Sequence, residues 1–152
     1  FSKNKTPYKT NFGIAFRRAQ PNNRGSYYLH ISPEDSFLAC GFWAPEPKDL
    51  LRIRQELAVS GDEFREIISQ KSVKNTWGEL TGDELKSAPR AFDKDHPDID
   101  LIRKKQFLFM IHFNNSEVEN SGFSERISSA VQDIRPFVRN AYQCLIGEFS
   151  LH

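Results

Sequence analysis

Residues 89–98 read P-R-A-F-D-K-D-H-P-D and gather Arg90, Asp93, Asp95, His96 and Asp98 in one short stretch. An imidazole beside carboxylates can share a proton in general acid–base catalysis, or add nitrogen and oxygen donors to a divalent cation. A metal-dependent hydrolase built this way would use Asp93, Asp95 and His96. The competing reading is structural. Successive residues seldom all point one way, and Asp95 and His96 directly ahead of Pro97 have the composition of a helix start. Composition favours capping and solvation over catalysis here.

A second stretch, residues 1–12, sets Lys3, Lys5 and Lys9 among hydroxyl and amide side chains and Tyr8, with Arg17 and Arg18 following. That mixture suits phosphate or carboxylate groups. Residues 1–32 hold six bases and no acid; 21 bases less those six leaves 15 against 20 acids, so this segment is +6 and the rest −5 in a chain of net charge +1. The two parts attract one another as readily as either attracts a partner. A nucleic acid bound through several phosphates would show a steep salt dependence. The segment lacks the clustered aromatics of a single-strand binder and the whole chain is close to neutral, which disfavours that partner. A small anionic ligand is the better match.

The strong motifs are missing: no phosphate loop, no G-x-S-x-G elbow, no H-E-x-x-H, no paired C-x-x-C and no dinucleotide glycine fingerprint. No cofactor is expected, and enzyme status is left open. His30 and His112 stand in strand patterns and read as hydrogen-bonded, partly buried histidines. Trp43, Trp77 and the 13 phenylalanines read as core. Cys40 and Cys144 lie in apolar runs without metal or redox spacing, as expected of reduced thiols in a cytoplasmic protein. The apolar run at 107–111 is far shorter than the ~20 residues of a membrane span, and no leader pattern opens the sequence, so no membrane association is expected.

The elements that must position these residues follow from periodicity. Phe12, Ile14 and Phe16 alternate, residues 21–25 supply a turn, and residues 27–31 and 37–43 resume strand patterns, giving a three-stranded meander with Gly41 placed for a bulge or close backbone approach. From Pro47 the period becomes helical to Ser60, and a second helix is expected over 62–70, separated at Gly61. Residues 71–97 lose periodicity and read as a long irregular segment, with a short helix starting near His96 and Pro97. Residues 106–113 are apolar on both faces, as in a central strand. The last element, 124–147, carries the stripe Ile127, Val131, Ile134, Val138, Tyr142 and Leu145, kinked or split at Pro136. Strands precede helices, so the fold class is α+β: one domain with an antiparallel sheet of about four to six strands, packed with helices.

The stretches FSKNKTPYKTNFG, YYLHISPEDSFLACGFWAPEP and GDELKSAPRAFDKDHPDIDLIRKKQF together resemble domain-of-unknown-function family 2461 over roughly residues 1–107. The ordered pattern F-S-K-x-K-T-P-Y-K, Y-Y-L-x-I-x-P, P-R-x-F-D-x-D-H-P carries the likeness. It implies a cytoplasmic α+β protein and brings no established activity. Members usually have a helical stretch ahead of the basic motif, so the resemblance also implies an upstream segment. The two charge-dense stretches carry the resemblance most strongly. The functional expectation is therefore an anion-recognising groove in which Lys3, Lys5, Tyr8, Lys9 and Arg18 face Arg90, Asp93, Asp95 and His96. The alternative is a non-catalytic interaction module whose basic arm meets an acidic partner. Oligomeric state is not specified by the sequence.

Overall fold

The computed structural model of the protein describes residues 8–17 and 26–146, the side chains of residues 17 and 140–146 excepted. The period-two segments form β1 (Phe12–Arg17), β2 (Ser26–Ile31) and β3 (Ser36–Phe42). They pair antiparallel in chain order, and β4 (Phe107–Phe113) joins β3 antiparallel, so the sheet runs β1-β2-β3-β4. The register puts Phe16 opposite Tyr27, Tyr27 opposite Cys40 and Cys40 opposite Phe109. Alternation then sends Ile14, Leu29, Leu38, Phe107 and Phe113 to the same inner face.

Helices cover that face. α1 (Pro47–Ile68) has proline in its first turn and a break at Ser60 (φ −126°, ψ 32°), close to where two helices separated by Gly61 are expected. α5 (Phe123–Ile146) runs through Pro136 and sends Ala130, Ile134, Phe137 and Val138 into the core. Phe137 meets Phe109 and Phe64 edge to face, with centroids 5.0 and 5.8 Å apart. α5 packs on α1 and on α2 (Lys71–Trp77), and reaches the sheet at β3. The result is the expected α+β architecture, with helices on one side of an antiparallel sheet.

Several details differ from the pattern reading. α2 falls in the stretch expected to be irregular. Only Val73 and Trp77 of its seven residues are buried, too few to set up a readable period. Its anchor is the Trp77 indole N–H, which donates to the Ala130 carbonyl at 2.8 Å. The short helix α3 (Ile99–Ile102) begins after Asp98 rather than at His96, and α4 (Asn115–Val118) starts on a reciprocal cap between Asn114 and Glu117. β4 ends the strand order instead of lying in the middle, and His112 is exposed. Its apolar outer residue Leu108 is covered from the side by Thr81, which exchanges backbone hydrogen bonds with it at 2.7 and 3.0 Å. Trp43 is 65% exposed rather than core, because it stands at the end of β3 beyond the last inward position.

Gly41 is the close approach expected: φ is +127°, and a Cβ there would collide with the Phe107 carbonyl oxygen. Cys40 is a buried free thiol, its pKa pushed far up by burial. Among the described residues no helix is long and apolar enough to cross a membrane.

Candidate functional site

The Asp-His loop is built against the break in α1. Asp93 Oδ1 accepts from the Asp95 N–H at 2.9 Å, and the Asp93 carbonyl accepts from the His96 N–H at 3.2 Å, turning the chain so that the imidazole faces α1. The Asp98 N–H donates to His96 Nδ1 at 3.0 Å, which leaves the proton on Nε2, and Nε2 donates to the Ala58 carbonyl at 3.1 Å. Both ring nitrogens are therefore engaged. Asp98 is buried and accepts from Arg65 Nε at 2.7 Å, while Arg65 Nη2 donates to Asp100 at 2.6 Å. These hydrogen bonds and charges raise the Arg65 pKa. Gly61 makes room for Asp98, whose carboxylate lies where a Cβ would stand. The whole segment clasps the broken helix to α3.

The remaining sequence-derived candidates are spread out. Tyr8 is 83% exposed and Lys9 is exposed, both just ahead of the edge strand β1. Neither bonds to the Asp-His loop among the described residues. Arg90, Asp93 and Asp95 are exposed on the loop, whereas His96 is half-buried. Lys3, Lys5 and Arg18 lie outside the described residues. Among those described, no three His, Cys, Asp or Glu side chains gather as a metal site.

A different grouping emerges where α5 leaves the sheet. Among the described residues α5 packs chiefly on α1 and α2 and reaches the sheet at β3, while Phe12 and Phe16 on the inner face of β1 are 59% and 46% exposed. A cleft of about 660 Å³ opens between β1–β2 and α5. Phe16 and its cross-strand partner Tyr27 form one wall. Ile127, Val131 and Val138 form the apolar part of the other. Beside them Ser128, Gln132, Arg135 and Arg139 follow one another at i, i+4, i+7 and i+11, a single flank of the helix.

Neither Arg135 nor Arg139 makes an ion pair among the described residues. Held one turn apart, the two guanidiniums repel by a few tenths of a kcal/mol (~0.2–0.5), a cost that a shared anion removes. They present planar donor forks matched to phosphate or carboxylate. The sequence carries a signal for this site. At i±3 and i±4, Arg135 has Val131, Gln132, Val138 and Arg139, and Arg139 has Arg135, Pro136, Tyr142 and Gln143, with no carboxylate among them. The apolar stripe of Ile127, Val131, Ile134 and Val138 dominates the period of this helix and masks it.

The outer face of the sheet carries a ring ladder. His30 stacks on Phe37 at 5.0 Å, with Tyr28 and His112 each 6.0 Å from Phe37. His30 is half-buried there, as expected, and its Nδ1 lies 3.5 Å from the Tyr28 hydroxyl. The Tyr28–His30 and His30–Phe37 ring planes lie 30° and 22° apart, whereas Tyr28 and His112 are tilted by 49° and 50° to Phe37.

The family model described as "Conserved hypothetical protein (DUF2461)" matches residues 1–139. No curated protein and no solved structure matches the chain.

Proposed function

This chain belongs to the DUF2461 family of conserved hypothetical proteins, and we propose that it is an anion-binding domain whose ligand sits in the cleft between β1–β2 and α5. The observation that carries this reading is the pair Arg135 and Arg139, one turn apart beside an aromatic wall and without an ion pair among the described residues. The cleft's volume falls in the ~300–1,000 Å³ range of small-molecule sites, and apolar walls with a few convergent polar groups are their usual make-up. Lys9 is exposed ahead of β1, and together with Lys3, Lys5 and Arg18, which lie outside the described residues, it makes this part of the sequence basic, a charge that raises the local concentration of anions around the protein. In this reading Arg90, Asp93, Asp95 and His96 make no ligand contact, since none of them lines the cleft and the Asp93 and His96 side chains are taken up by hydrogen bonds of the loop. Metal-dependent hydrolysis through Asp93, Asp95 and His96 draws no support from a ring whose two nitrogens are already hydrogen-bonded.

The test is thermal unfolding of the 152-residue chain in rising inorganic phosphate and pyrophosphate, since a ligand of the native state raises apparent stability with concentration. The expected result is a saturating shift that Arg135→Gln with Arg139→Gln removes and His96→Ala retains. An equal shift in the double arginine variant would place the anion elsewhere.

A second reading, a non-catalytic protein-interaction module, is favoured by the outer sheet face, where Tyr28 and Trp43 are exposed beside Phe37. It predicts that Trp43→Ala weakens association with a partner while leaving phosphate binding intact.

A further inference from the structure

We infer that the cleft takes a planar heteroaromatic ring carrying a phosphate, in its simplest form a nucleoside monophosphate; this names the ligand of the proposed anion site and rests on that reading. The cleft is polarised along its length. Ser128 and Gln132 supply neutral donors and acceptors at one end, and Arg135 and Arg139 supply charge at the other. The midpoints of these two pairs lie seven residues apart, about 10 Å at 1.5 Å per residue. A compact inorganic anion uses only the cationic end.

The walls define what fills the rest. Phe16 and Tyr27 are directly paired across β1 and β2, so their side chains stand as neighbours on one side, and Val131 and Ile127 face them from α5. A slot between an aromatic and an aliphatic wall suits a flat ring, which gains from stacking on one side and apolar contact on the other. A ring with polar edges also pairs with the exposed hydroxyl of Ser128 and amide of Gln132, to which a hydrocarbon tail offers no hydrogen-bonding group. Phosphate on the same molecule then reaches the guanidinium forks. A free nucleotide and the phosphorylated end of a nucleic acid both present this chemistry.

Equilibrium titration of the full chain with adenosine monophosphate, ribose 5-phosphate and inorganic phosphate separates the claims. The inference predicts that the nucleotide binds at least tenfold tighter than ribose 5-phosphate. Phe16→Leu should remove most of that tenfold margin without changing ribose 5-phosphate affinity, and Arg139→Gln should weaken both compounds. Equal affinity of the nucleotide and ribose 5-phosphate, both lost in Arg139→Gln, would overturn the ring and leave the anion site standing. Binding of neither would overturn both. A Phe16→Leu variant that weakens both compounds alike would show a structural role and also overturn the stacking claim. Competition by a 5′-phosphorylated oligonucleotide assigns the ring to a nucleic-acid terminus; its failure assigns it to free nucleotide.

Discussion

At the scale of single residues, the Asp-His cluster is tied into the fold by its own hydrogen bonds. His96 is held between its own loop and the Ala58 carbonyl. Replacing it with alanine leaves a half-buried carbonyl and a backbone N–H without partners, an expected loss of about 1–3 kcal/mol in denaturant unfolding with phosphate binding retained. Loss of binding at unchanged stability would instead restore His96 as a ligand contact. The grouping of Asp93, Asp95, His96 and Asp98 is visible in the sequence because they fall within six positions. Their partners Ala58, Gly61 and Arg65 are more than thirty positions away and carry no pattern that points to the loop. Arg135 and Arg139 were legible in principle through the missing carboxylates around them, although what they face depends on tertiary packing.

At the scale of elements, period-two and helical patterns located all four described strands and both long helices to within about two residues at most ends. What they missed has physical causes. α2 buries too little to display a period, and β4 looks central because its inner face is core while Thr81 pairs with its outer edge at Leu108. Gly61 matters through tertiary contact: in Gly61→Ala the new methyl group meets the Asp98 carboxylate, itself fixed by Arg65, and a loss of about 1–3 kcal/mol is expected on overpacking grounds. Pro136 lacks the N–H that would bond within α5. Pro136→Ala should therefore raise stability, by up to about 3 kcal/mol, in the same unfolding measurement. No gain would mean that the helix bends at this point to a purpose the core requires.

At the scale of the whole molecule, the charge distribution sets the pH and salt response. Burial tends to raise the Asp100 carboxyl, but hydrogen bonding and charge from Arg65 outweigh it and hold it below its usual range. Glu117 is lowered chiefly by the hydrogen bond from Arg126, then by the Asn114 N–H. For such carboxylates the unfolded chain binds more protons, so their stabilisation is full above the unfolded values near 4 and is lost as pH falls through the depressed folded values. Unfolding temperatures should drop between pH 5 and 3, and Arg65→Gln should flatten part of that slope. An unchanged slope would remove Arg65 from the account. Anion binding in an open cleft should also weaken with added sodium chloride, because exposed charges are screened beyond about 10 Å at 0.1 M.

The most direct test of the anion site is the crystal structure of the full chain grown with tungstate, a phosphate-shaped anion whose heavy atom can be located unambiguously. One strong peak is expected between the Arg135 and Arg139 guanidiniums, on the side of the cleft facing Phe16 and Tyr27. A peak at Lys9 or Arg90 with the α5 cleft empty would contradict it.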